Sequence, residues 1–87
     1  MAEASRIRFT RHALEKLALL RHYGFDISRE QLIEAILKPS RLDERASQFF
    51  ATKGIDTKHA IRVVYEKRKG YLVVITFYPV ERKRYDL

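Results

Sequence analysis

Tyr71-Leu72-Val73-Val74-Ile75-Thr76-Phe77-Tyr78 is the stretch on which the fold turns. Seven of its eight residues are apolar, Thr76 being the exception. A short run so rich in β-branched and aromatic side chains reads as a strand. Because it is apolar on both faces, it predicts a central strand covered on at least one side by a helix. Pro79 is expected to end it. Just upstream, Lys67-Arg68-Lys69-Gly70 is a polar loop closed by glycine, the mark of a hairpin. Before that loop the chain alternates from His59 to Glu66. His59, Ile61, Val63 and Tyr65 take one face of a strand, and Ala60, Arg62, Val64 and Glu66 take the other. Arg41 to Thr52 allows more than one reading, but Phe49-Phe50-Ala51-Thr52 has strand composition and Gly54 marks a turn.

The first half of the chain has a different period. Met1–Ser5 reads as a frayed end, and Arg6-Ile7-Arg8-Phe9 alternates as a half-buried strand does. Thr10 then suits a helix N-cap, because its hydroxyl can accept from a free N–H of the first turn. Leu14, Leu17, Ala18 and Arg21 follow one helical stripe. Leu19 widens that stripe, so this helix is expected to be well buried, and Gly24 is its stop. Ser28-Arg29-Glu30-Gln31 fits a capping box, with Ile27 and Leu32 placed for a hydrophobic staple. Leu32, Ile33, Ile36 and Leu37 form the apolar face of a second helix, which Pro39 ends. The order is β-α-α-β-β-β. Helices that precede a block of strands imply an α+β fold. The expectation is one domain, residues 1–87, with two N-terminal helices packed on a three- to four-stranded antiparallel sheet.

The composition narrows the function classes. The chain has 87 residues and carries 18 Lys and Arg against 11 Asp and Glu, a net charge of +7. With no cysteine, disulfide staples, thiolate zinc sites and cysteine catalysis are excluded together. Small secreted domains usually need staples, so an intracellular, cytoplasmic protein is expected. Met1 to Arg11 holds no apolar run, so no signal peptide is read, and no membrane span is expected. The charge is uneven: residues 1–24 carry a net +3, residues 25–48 a net −1 and residues 49–87 a net +5. Basic ends that meet on one face make a patch for a polyanion, whereas basic residues spread all round make a solvated surface.

Three strings carry a family likeness: Phe9-Thr10-x-His12-Ala13, Ile27-Ser28 with Ile33, Ile36 and Pro39, and Val74-x-Thr76-x-Tyr78. Together with the element order they resemble the small RelE-like proteins. That group includes the BrnT toxins and a neighbouring family of unknown function that carries the Phe-Thr-x-His-Ala motif. The likeness runs from about Arg6 to Tyr85. RelE and BrnT proteins are ribonucleases, ribosome-dependent or free, from bacterial and archaeal toxin–antitoxin pairs. The resemblance therefore implies a RelE/BrnT-like domain that cleaves mRNA, on the ribosome or off it, and a cognate antitoxin in the cytoplasm.

Metal-free RNA cleavage needs a base for the 2′-OH proton, an acid for the leaving oxygen and cations for the charge on phosphorus. His12 is the first candidate, since imidazole changes charge near neutral pH and this one opens a helix, where a phosphate is favoured. Arg62, projecting from a strand amid Ala60 and Val64, is either a phosphate ligand or a snorkelling surface residue. Tyr78 completes the catalytic set. Arg8 and Arg11 lie close to His12 in sequence, and Arg82, Lys83, Arg84 and Tyr85 combine charge with an aromatic ring. Such mixtures suit single-stranded RNA through phosphate contacts and stacking. The alternative is a basic α+β module that binds RNA or protein without cutting. His59 reads as an edge or core histidine, and His22 as a cation at a helix end. Asp43-Glu44 reads as an isolated acidic pair, solvated or facing an antitoxin. The three histidines lack a metal-ligand spacing, so no metal and no cofactor is expected. In so short a chain the site should be an open basic surface rather than a pocket.

Overall fold

The computed structural model describes residues 6–87. Residues 1–5, read from the sequence as a frayed end, lie outside them. The chain runs through β1 (Ile7–Phe9), α1 (Arg11–His22), α2 (Arg29–Leu37), β2 (Arg41–Arg45), β3 (Gln48–Gly54), β4 (His59–Arg68) and β5 (Tyr71–Glu81). A short 3-10 turn (Arg82–Tyr85) follows β5. Local sequence explains both helix starts. The Thr10 hydroxyl accepts from the Ala13 N–H at 3.1 Å. At α2, Gln31 N–H donates to the Ser28 hydroxyl at 3.2 Å while Ser28 N–H donates back to the Gln31 side chain at 2.8 Å. The stops are those read from the sequence. Gly24 takes the left-handed conformation at φ 92°, and Lys38, ahead of Pro39, caps α2.

The five strands lie in the order β1-β5-β4-β3-β2. β1 runs parallel to β5, and the other neighbours are antiparallel. The α+β class holds, but the sheet is five-stranded and mixed, not three- to four-stranded and antiparallel. Two features account for the difference. β1 has only three residues, too few for a pattern to reveal its direction, and it reaches the far side of β5. β2 is hidden by its turn: Ala46 and Ser47 both have positive φ, 51° and 70°, between the paired residues Arg45 and Gln48. Two such residues make the turn that matches strand twist, which Asn-Gly normally announces.

The centre of the sheet is β4, not β5. β4 is buried continuously from Ala60 to Tyr65, while in β5 only Val74 and Phe77 are fully buried. β1 covers β5 only along Leu72–Val74. Beyond that, among the described residues, the outer edge of β5 has no strand neighbour. This also explains Pro79, which sits inside β5 opposite Ile61 instead of ending it. A proline is tolerated where one side of a strand carries no ladder.

Ile61, Val63 and Tyr65 of β4 join Ala51, Val74, Phe77 and Ile7 beneath the helices, against Ala13, Leu17, Leu32, Ala35 and Ile36. α1 is less buried than expected. Only Ala13 and Leu17 are fully buried, Leu20 is partly so, and Leu19 is 54% exposed. No helix among the described residues is long and apolar enough to cross a membrane.

Candidate functional site

The Phe9-Thr10-x-His12-Ala13 string has a clear structural meaning. In the β4–β5 ladder Tyr65 pairs with Val74 and Val64 with Thr76, so Ile75 is an extra, bulged residue. Bulges re-aim side chains and recur beside functional sites. The Thr10 hydroxyl, which caps α1, also donates to the Ile75 carbonyl at 3.2 Å. The Thr10 N–H donates to the Val74 carbonyl at 3.1 Å. The first turn of α1 is thus tied to the bulge, and His12 comes to rest beside Thr76.

His12 Nε2 lies 3.4 Å from the Thr76 hydroxyl. Lys16, one helical turn further on, donates to the same hydroxyl at 3.4 Å. Its ammonium also lies 5.7 Å from the ring centre of Tyr78. An imidazole and an ammonium therefore meet on one hydroxyl, with the Tyr78 ring beside the ammonium, where the edge of β5 is open. His12 is exposed, while Lys16, Thr76 and Tyr78 are half-buried. Neither Lys16 nor Thr76 is among the site residues that the sequence suggests. Lys16 is four residues after His12, and Thr76 is the lone polar residue of the apolar run, so both had a signal.

Arg62 is placed differently from a free phosphate ligand. It stands opposite Tyr78 in the ladder, yet it is only 6% exposed. Its Nη1 donates to Thr52 Oγ1 at 2.6 Å and to Asp43 Oδ2 at 3.2 Å. Its guanidinium sits 5.0 Å from the ring centre of Phe50 and 4.5 Å from that of Tyr85. A buried charge is costly unless paired, and this one is paired and lies against two aromatic rings. Burial pushes the Asp43 carboxyl up, but hydrogen bonds from Arg41 and Arg62, with their charges, outweigh it and hold the group below the ordinary carboxylate range. Asp43 is thus not the isolated residue its sequence suggested. Tyr85 is held over Arg62 partly by Arg41, whose Nη1 donates to the Tyr85 carbonyl at 3.2 Å.

The basic residues read from the sequence as RNA-binding are strung along β5 and its C-terminal turn rather than gathered in one patch. Arg8 stands opposite Val73, and its guanidinium lies over Tyr71 at 4.9 Å. Arg11 opens α1 next to His12. Thr76, beside His12, is three residues further along β5, and the 3-10 turn begins after Glu81. At about 3.3 Å per residue the track from Val73 to Glu81 is roughly 26 Å long, with His12 inside it. Arg82 is partly committed to the fold: its Nη1 donates to the Asp56 carbonyl at 2.8 Å, and its guanidinium packs on Gly54. Lys83 is exposed, and so is Arg84, which pairs with Glu81 at 3.5 Å.

Where the track reaches the C-terminal turn there is an open groove of about 520 Å³, whose lining includes Phe25, His59, Tyr78, Glu81, Arg84 and Tyr85. His59 is fixed there by Asp56. Asp56 Oδ1 accepts from the backbone N–H of Lys58 at 2.8 Å and of His59 at 2.7 Å. Both carboxylate oxygens lie 3.1 Å from His59 Nδ1. The two backbone bonds chiefly hold the Asp56 carboxyl below its usual range. No group of three or more His, Asp and Glu side chains among the described residues is arranged to hold a metal ion.

These features define a small α+β protein with two helices on a five-stranded mixed sheet and an imidazole–ammonium–phenol cluster on an open strand edge. Comparison of the chain with family models, with curated proteins and with solved structures gives no match.

Proposed function

We propose that the protein is the toxin of a RelE/BrnT-like toxin–antitoxin pair, a metal-independent endoribonuclease that cuts mRNA at the open edge of β5. The observation that carries the reading is the convergence of His12 and Lys16 on Thr76, beside Tyr78. In this scheme His12 takes the proton from a ribose 2′-OH, and the 2′ oxygen attacks the adjacent phosphorus. The Lys16 ammonium offsets the charge that builds there. The bond from phosphorus to the 5′ oxygen breaks, and Tyr78 supplies the proton that this oxygen needs. The products are a 2′,3′-cyclic phosphate and a 5′-hydroxyl. Arg62, held among Asp43, Thr52, Phe50 and Tyr85, braces the strand opposite Tyr78 instead of touching phosphate. Arg8 and Arg11 on one side, and Lys83, Arg84 and Tyr85 on the other, hold RNA along the track. An acidic antitoxin in the cytoplasm covers the same basic edge.

Expression of the chain alone is expected to arrest growth, and His12→Ala to relieve the arrest. In vitro, His12→Ala should cut labelled single-stranded RNA 10²- to 10⁴-fold more slowly, the usual span for a lost acid–base group. Its melting temperature should stay near that of the wild type, since His12 is exposed. Equal cutting by both proteins removes His12 from the chemistry. A non-catalytic, RNA-binding module is the second reading. It is favoured by one observation, the engagement of Arg62 inside the protein, and it predicts salt-dependent binding that leaves RNA intact.

A further inference from the structure

His59, opposite Glu81 on the far side of the groove, stands five residues of strand beyond Thr76, while Tyr78 lies between them and lines the near side. At about 3.3 Å per residue that is roughly 16 Å. An acid and a base acting on one phosphate must both reach it within hydrogen-bonding distance. His12 and His59 therefore do not share a phosphate, and the groove is read from its own lining.

Phe25 follows the first helix in the chain, and its ring is 47% exposed on the wall of the groove. Tyr78 and Tyr85 bring two more rings. Arg84, exposed and paired with Glu81 at 3.5 Å, supplies a cation at the rim, and His59 is turned by Asp56 through Nδ1. Glu81 sets the orientation. Its carboxylate repels a phosphate but accepts from the N–H groups that nucleobases carry on their edges. Rings for stacking, a carboxylate for base N–H groups and cations at the rim match one nucleotide of a single strand.

We propose that this groove is a nucleobase subsite: it holds one unstacked base of a single-stranded RNA whose backbone runs along the edge of β5 from His12. The base lies against Phe25 with its N–H edge toward Glu81, and the neighbouring phosphate meets Arg84 and His59. The inference rests on the RNA reading above and adds to it the place where a base is gripped. The spacing puts that base about five stacked nucleotide steps from the phosphate at His12, fewer if the strand is extended.

The test uses the full chain and short fluorescein-labelled RNA, 2′-O-methylated so that it cannot be cut, with one abasic position moved along the strand. Binding is read by anisotropy. One position should matter most, with the abasic strand binding about tenfold more weakly, as expected for loss of one base–aromatic stack. In Phe25→Ala the intact strand should bind about tenfold more weakly too, and the abasic position should then cost nothing further. Tyr23→Ala, which removes an exposed ring outside the groove lining, should keep the wild-type profile. Arg84→Ala should reduce the slope of log K against log salt by about 0.7, one phosphate's worth for a single strand. A flat abasic profile, or a wild-type profile in Phe25→Ala, overturns the subsite. If the profile is found but unmethylated RNA stays whole, the nuclease reading fails and the subsite stands. If RNA is cut and the profile is flat, the reverse holds. Absence of RNA binding overturns both.

Discussion

Thr10 makes two hydrogen bonds that decide where His12 stands, one to the Ala13 N–H and one to the bulged Ile75 carbonyl. Thr10→Val keeps the shape and removes both. Loss of the cap alone costs about 1 kcal/mol, so melting should fall by at least 4–8 °C, the usual shift per kcal/mol in a domain of this size. Thr10→Ser should be close to wild type in a thermal melt. His12 and Tyr78 were legible in the sequence because their types and strings carry chemistry by themselves. The bulge that turns Thr76 toward them was not, since it exists only in the pairing of β4 with β5. The same limit applies to Arg62. Alternation placed it on a strand face, but Asp43 and Thr52 reach it only through the register of β2, β3 and β4.

The Arg62 cluster also responds to pH. Asp43 has a lowered carboxyl pKa in the folded protein, so its contribution to stability is present above the ordinary unfolded value of about 3.9. It is lost as pH falls through the lower folded value. Asp43→Asn removes that contribution and leaves Arg62 with Thr52 as its polar partner. At pH 7 the variant should lose about 1–3 kcal/mol in urea unfolding, the cost of under-satisfying a buried polar group. The gap between the two proteins should narrow below about pH 4. A gap that is unchanged or wider at low pH contradicts the pairing.

Among the elements, the helices were legible almost to their ends, because capping residues and Gly and Pro stops act locally. Strand number was not. The turn at Ala46-Ser47 uses two positive φ values without asparagine or glycine, so the sequence gives no warning of it. An L-residue in the left-handed region costs roughly 1–2 kcal/mol. Ser47→Gly should therefore stabilise the protein by about 1 kcal/mol at φ 70°, seen as a higher melting temperature with RNA binding unchanged. A lower melting temperature would show that the Ser47 side chain, not the strain, dominates there.

At the scale of the molecule, the described residues span 35 × 29 × 26 Å, which leaves room for an open site and not an enclosed one. The net charge of +7 pointed to a polyanion from the start. The sequence leaves a single basic patch and a spread basic surface both open; in the fold, Arg8, Arg11, Lys83 and Arg84 are strung along β5 and its C-terminal turn. A single strand that follows the track should neutralise at least three phosphates, giving a slope of log K against log salt steeper than about −2. A slope near zero would mean that the track does not hold RNA.

The central claim is that His12, Lys16 and Tyr78 cut RNA without a metal. It is tested most directly by incubating the pure protein with end-labelled single-stranded RNA in excess EDTA and reading the termini. The account predicts fragments ending in 2′,3′-cyclic phosphate and beginning with 5′-hydroxyl, and no such fragments with His12→Ala. RNA that is bound but left whole, or cut only when a divalent metal is restored, contradicts it.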